Sequence, residues 1–281
     1  MGTVFVSTYA RNLTLHTNTI RDFIERNCMV MGLYSGAVPA SADAATTGTL
    51  ICKITGEGAV VKAKQKIRFT PTTAGTTGTW GINLNNGHIF TFTDDSTPTV
   101  SKVCTGLYRL VNTGQGASGK YFTTATDGAI TAGGIINIPG IYQKFTLTDN
   151  ATSLDIEAAT AGIGFDYAVA YTGAGNSIAT SVITADAYGL KFEAVADVAS
   201  GTLEKLTTQT WEGTNLVDGV VTHFRIYVDG DDQTVAQGTT NWRYQGNVST
   251  SGSDLNVRST TFYADEPTQV SNDFAIQWPA S

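Results

Sequence analysis

Charge is scarce in this sequence. Only 15% of its 281 residues are Asp, Glu, Lys or Arg, while 41% are apolar and 30 are Gly. The apolar share supports a core, and the length suits one large β domain or two ordinary ones. A surface so low in charge fits either a chain held against neighbours or a β domain with neutral polar turns. Cysteine is scarce too. Cys28, Cys52 and Cys104 form no C-x-x-C pair, and an odd, widely spaced set gives neither a disulfide framework nor a zinc site. Each sits among apolar neighbours and reads as a buried free thiol. No basic start leads into an apolar run, so no signal peptide is expected, and no run approaches the ~18 apolar residues of a membrane helix. Folding in a reducing cytoplasm is expected, which makes the sequons at Asn12, Asn150 and Asn247 chance matches. The net charge of -7 argues against binding along a nucleic-acid backbone, where Lys and Arg must replace counterions. The one basic run, Lys62-Ala63-Lys64-Gln65-Lys66-Ile67-Arg68, lacks interleaved aromatics and reads as the solvated face of an edge strand.

What is present is alternation. Trp242–Val248, Leu255–Val257 and Phe274–Trp278 alternate apolar with polar residues between Gly, Ser and Asp, the pattern of short antiparallel strands. His223–Val228 places Phe224, Ile226 and Val228 on one face. Met29–Tyr34 and Gly48–Ile54 read as strands on either side of a loop over 35–43. Ile20, Phe23 and Ile24 make one helical stripe, with Asn18 or Thr19 as cap.

The middle differs. Pro71–Gly78 reads as a flexible connector, and Asn85-Asn86-Gly87 as a turn before the strand of His88, Phe90 and Phe92. Val100, Val103, Cys104, Leu107, Leu110 and Val111 recur at helical spacing, with Thr97-Pro98 as cap and first turn. Gly106 weakens that helix by ~1 kcal/mol relative to Ala and leaves room for a strand to approach. A Gly/Ser loop over 113–119, a strand over 133–140, and the alternations at Phe145/Leu147 and Leu154/Ile156 complete a small α+β unit. The expected fold is mainly β: a β-sandwich-like frame from both chain ends, residues 1–71 and 188–281, with an inserted α+β domain over 72–187.

Reactive signatures are weak. His16, His88 and His223 share no local motif. Asp94-Asp95 and Asp231-Asp232 are carboxylate pairs, but both lie at strand ends, where Asp commonly accepts backbone hydrogen bonds. Asp229, Asp231 and Asp232 could collect a calcium ion, although EF-hand spacing is absent. The glycines at 114–119 and 133–134 lack the strand, helix and lysine of a phosphate loop. Trp80, Trp211, Trp242 and Trp278 with Tyr34, Tyr227 and Tyr244 could line a sugar-binding groove, though core and interface packing explains them more cheaply. No catalytic, metal or cofactor residue is therefore assigned, and the chain does not read as an enzyme.

Two blocks are familiar. Gly32–Asp43 with Thr47–Ile51, and Gly189–Phe192 with Gly201–Lys205, Thr210–Thr214, Phe224–Tyr227 and Gly252–Val257, resemble a recurrent segment of tailed-bacteriophage structural proteins. Phe90–Asp94, the Val100–Val111 helix and Asp155–Gly162 are similar to small α+β modules of phage tail and neck proteins. The two frame blocks usually lie closer together in such proteins, so the residues between them read as an insertion. The resemblance implies a virion component, made in the host cytoplasm, with a neck or collar station at the head–tail junction. The alternatives are a capsid decoration or head-fibre protein and a tail or receptor-binding carbohydrate-recognition module. It implies as partners copies of the chain in a ring or array, and portal, head–tail adaptor, capsid or tail proteins, with no direct nucleic-acid contact and no membrane.

Overall fold

The computed structural model describes residues 5–6, 27–73, 75, 77–84, 88–94, 97–116, 120–121, 124–126, 136–137, 145–193, 202–237 and 241–277. Its principal elements are β1 (Met29–Tyr34), β2 (Leu50–Gly56), β3 (Lys66–Thr72), β4 (Gly78–Leu84), β5 (His88–Asp94), α1 (Val100–Gly116), β6 (Phe145–Asp149), β7 (Leu154–Ala158), β8 (Tyr167–Thr172), β9 (Ser177–Thr184), β10 (Trp211–Thr214), β11 (His223–Val228), β12 (Arg243–Ser249) and β13 (Pro267–Val270). The fold is mainly β. The chain divides into two compact units, Met1–Lys62 with Ala187–Ser281, and Ala63–Asp186.

The first unit, the frame, is built on one large sheet. Its strands run in the order Phe5–Val6, β12, β11, β1, β2, β10, β13, and Leu255–Asn256 pairs parallel to β12. Early and late segments are direct neighbours: Leu33 faces Phe224, and Met31 faces Ile226. Alternation then puts Met29, Met31, Leu33, Cys52, Ile54, Phe224 and Ile226 into one core with Trp211, Trp242 and Tyr244. Leu203 and Ile276, from a two-stranded ribbon of Thr202–Glu204 and Ala275–Gln277, and the nearby Leu190, Phe192 and Phe274 close that core. Burying each such side chain contributes roughly 1.5–3 kcal/mol. The three aromatics Phe192, Trp211 and Phe274 meet edge to face or tilted, with centroids 5.1 and 5.6 Å apart.

The inserted unit has two four-stranded sheets, β6-β7-β3-β9 and β8-β4-β5 with Thr124–Thr126. They share a core with α1: Ile67, Phe69, Trp80, Ile82, Phe90, Phe92, Val103, Leu107, Leu110, Leu154 and Ile156 are all buried in it. The helical spacing seen in the sequence holds, since Val103, Cys104, Leu107, Leu110 and Val111 are fully buried. The expected cap moves. Thr99 caps α1, its Oγ1 accepting from Lys102 N at 3.3 Å and its carbonyl from Val103 N at 3.1 Å, so Thr97 and Pro98 lie before the helix. The C-terminal end also moves, because α1 continues to Gly116 where a loop from 113 was expected. Gly106 has the predicted use: a Cβ there would lie 2.1 Å from Phe92 Cδ2, so its absence seats the ring of Phe92 on the helix.

The first seam lies at 62/63, not at 71/72, and the second at 186/187, not at 187/188. Lys66–Thr72 is the reason for the first shift. It lies between β7 and β9, so it is a central strand of the inserted unit and not the edge strand expected from the basic run Lys62–Arg68. Pro71 is accommodated because β7 pairs only as far as Phe69, and the side of Pro71 without an N–H has no partner strand to lose. The stripe at Ile20, Phe23 and Ile24, the turn at 85–87, Asp95 and most of the 133–140 strand lie outside the described residues.

Candidate functional site: a buried polar layer and an uncharged edge

Period-two alternation puts His223, Arg225 and Tyr227 on the face of β11 opposite its apolar set. In a half-solvated sheet that face would meet water. Here all three are buried. Their cross-strand neighbours Tyr34, Gly32 and Val30 on β1, and Gln245 and Arg243 on β12, are buried as well. The cover is chain from 39–46 and 231–235, held by the polar side chains themselves.

Arg225 is held by protein groups. Its Nε donates to Gln245 Oε1 at 2.8 Å, and its Nη2 to the carbonyls of Ala44 at 2.7 Å and Ser41 at 3.3 Å. Gln245 Nε2 donates to the Pro39 carbonyl at 2.9 Å. Arg243 makes a two-bonded ion pair with Asp231 and also donates to the carbonyls of Asp232 and Val235. Asp231 further accepts from Gln233 and Asn241, each at 2.7 Å. Burial, with Arg243 nearby, pulls the Arg225 guanidinium down to about 10. The ring of Tyr34 lies over Gly32, where a Cβ would sit 2.6 Å from Tyr34 Cε2, and its hydroxyl bonds that of Tyr227. Burial raises both tyrosines.

His223 stacks on Tyr34 with centroids 5.4 Å apart, and Thr222 and Thr46 hydroxyls lie 3.0 and 3.4 Å from its two nitrogens. Burial, reinforced by Arg225, pulls it down to about 4, so it is neutral at ordinary pH. Of the other histidines, His16 and the side chain of His88 lie outside the described residues.

The aspartates do not converge. Asp229 accepts from Lys53 at 2.5 Å and Lys62 at 2.6 Å, with both ammonium groups over the Tyr188 ring. Asp231 faces Arg243. Asp232 Oδ1 accepts from the Thr234 amide and hydroxyl, which lower its pKa. Among the described residues no group of three His, Cys, Asp or Glu could hold a metal ion. Asp94 is buried at the end of β5, with Lys102 Nζ at 4.0 Å. Within the basic run, Lys64 is exposed while three members meet acids: Lys62 pairs with Asp229, Arg68 bonds Asp155 twice, lowering its pKa, and Lys66 lies near Asp155 and Glu157.

Trp80, Trp211, Trp242, Tyr34, Tyr227 and Tyr244 are all buried, so these six line no sugar groove. Trp278 lies outside the described residues. Cys28, Cys52 and Cys104 are buried free thiols, and burial pushes Cys52 and Cys104 up to about 12. Nothing in the local sequence marks Lys205 as a buried group. It is buried beside Trp211 and donates to the Gln209 carbonyl at 2.5 Å and Asn272 Oδ1 at 2.6 Å, tying two turns together. Burial lowers its pKa.

Open surface of two kinds remains. The frame carries a shallow cleft of about 340 Å³ lined by Lys53, Tyr188, Glu212, Val60, Leu216 and Pro267, with Val60 90% exposed. The inserted unit carries an uncharged strip. From Tyr167 to Ala185 there is no Asp, Glu, Lys or Arg. Tyr171, Val182 and Ile183 are 49%, 54% and 48% exposed. β8 and β9, which follow each other in sequence, are each the last strand of their sheet among the described residues.

No helix among the described residues is long and apolar enough to cross a membrane. The chain matches no protein-family model, no curated protein and no solved structure.

Proposed function

We propose that this chain is a structural protein of a bacteriophage virion that works by contact, through self-assembly and through neighbouring virion proteins. The observation that carries the reading is the strip on β8 and β9: a long outer strand with exposed apolar side chains and no charge, of the kind that pairs with other chains. The buried polar layer supports it from the other unit. Its charged groups are spent on holding loops, which suits a rigid scaffold more than a catalyst. The blocks that resemble phage structural proteins support the virion assignment, because the early and late ones pair within one sheet, Gly32 against Arg225. The likeness of Phe90–Asp94, α1 and Asp155–Gly162 to modules of phage tail and neck proteins favours a neck or collar station at the head–tail junction, with portal, adaptor, capsid or tail proteins as neighbours.

The test is location. Particles purified from the host that carries the gene are digested and their peptides identified, and antibody against the chain is imaged on them. Stoichiometric presence with label at the neck is the expected result. Absence from purified particles overturns the reading, and label over the head or tail tip moves the station.

A further inference from the structure

The geometry points to β9 as a self-pairing edge: two copies of the chain join by antiparallel addition of Ser177–Val182 across a two-fold axis. The inference rests on the reading of the chain as an assembling subunit. β9 pairs with β3 on one side and ends its sheet on the other, so among the described residues its outer row of N–H and C=O groups has no partner strand. Natural edges are usually guarded by Lys, Pro or an inward charge. Ser177-Ile178-Ala179-Thr180-Ser181-Val182 carries none of these. The one guard present is a bulge between Val182 and Thr184, which ends the regular stretch at Val182.

Charge and register select a second copy as the occupant. The chain carries a net charge of -7, so contact between two copies is least opposed where neither brings charge, and this edge is such a place. A two-fold axis normal to the sheet keeps each face on its own side. Residues facing across the axis must therefore share side-chain parity. A register that covers Val182 within the regular stretch sets Thr180 against Thr180 and Val182 against Ile178 of the other copy. Val182 is 54% exposed, so the pairing removes apolar surface from water on both sides of the axis. A six-residue strand pair is small beside a standard interface, so the free dimer is weak, and repetition in an array strengthens it.

The experiment uses the full chain. Sedimentation over a hundred-fold concentration range is expected to show a monomer–dimer equilibrium, and Val182→Lys, on an exposed side chain, is expected to weaken it at least ten-fold with an unchanged melting temperature. Thr180→Cys under a mild oxidant is expected to give a disulfide-linked dimer, while Ser259→Cys on the exposed surface of the frame gives far less. A wild-type chain monomeric throughout, a dimer indifferent to Val182→Lys, or Thr180→Cys cross-linking no better than Ser259→Cys overturns the inference. Presence in particles with no Thr180 cross-link removes the pairing alone; a cross-linked dimer absent from particles removes the virion reading alone.

Discussion

Arg243 and Asp231 form a two-bonded ion pair inside the frame, Nε to Oδ2 at 2.7 Å and Nη2 to Oδ1 at 3.0 Å, with the two side chains 0% and 1% exposed. A buried pair of this kind gains little over a well-packed apolar pair, but losing one member strands a charge. Asp231→Asn is expected to lower unfolding free energy by roughly 3–5 kcal/mol. Replacing both residues with Leu and Met is expected to cost less than the single change. Urea unfolding followed by tryptophan fluorescence measures both. A loss under ~1 kcal/mol for Asp231→Asn would mean that the pair does not hold the loops.

His223 sets an acid limit on stability. Its folded value of about 4 lies below the ordinary 6.5, so between those values the unfolded chain binds a proton that the folded chain refuses. Stability therefore falls as pH drops from 6.5 toward 4, and the contribution is flat above 6.5. The full loss is on the order of 3 kcal/mol. Asp155 and Asp229, both held below the usual carboxylate range by paired cations, are expected to add their losses at still lower pH. His223→Gln is expected to flatten the urea midpoint between pH 7 and 5. A wild-type midpoint constant over that window would refute the buried neutral imidazole.

Gly106 is expected to resist improvement. Gly to Ala inside a helix normally gains about 1 kcal/mol. Here the new methyl meets Phe92 at 2.1 Å, and overpacking of this sort costs roughly 1–3 kcal/mol. Gly106→Ala is therefore expected to lower the melting temperature, while Ser101→Ala on the exposed face of α1 does not. Phe92→Leu should relieve the clash, so that Gly106→Ala costs less in that background. Equal costs in the two backgrounds would place the strain elsewhere.

Much of the frame was legible in period-two alternation. Phe224, Ile226 and Val228 read correctly as one face, and the pairing of early with late segments followed from their shared strand character. The other face carries no such signal. His, Arg and Tyr at alternate positions look the same whether water or a folded-back loop covers them, and no local pattern marks Ala44 or Ser41 as carbonyl acceptors for Arg225. The signal that could have found the layer was the length of the loops after β1 and β11. The basic residues of β3 misled for a related reason. Lys66 and Arg68 meet carboxylates on β7, some ninety positions away, and a central strand with paired charges imitates a guarded edge. The edge that lacks charged guards, β9, is marked in the sequence only by a stretch without charge.

The insertion itself makes the last prediction. Chain enters and leaves the inserted unit at Lys62 and Ala187, and within the frame Lys62 Nζ lies 5.6 Å from the centroid of the Tyr188 ring and 2.6 Å from Asp229. The two ends of the excision are therefore near each other, and loop closure by a short Gly/Ser linker costs little entropy. Removing residues 63–186 and joining the ends is expected to leave a soluble frame that unfolds in one cooperative step, with Trp211 and Trp242 still buried. Residues 63–186 alone are expected to fold around Trp80. Tryptophan emission and thermal melts of the two pieces check this. If the joined frame exposes its tryptophans without denaturant, the frame does not carry its own core and the division at 62/63 is not a folding boundary.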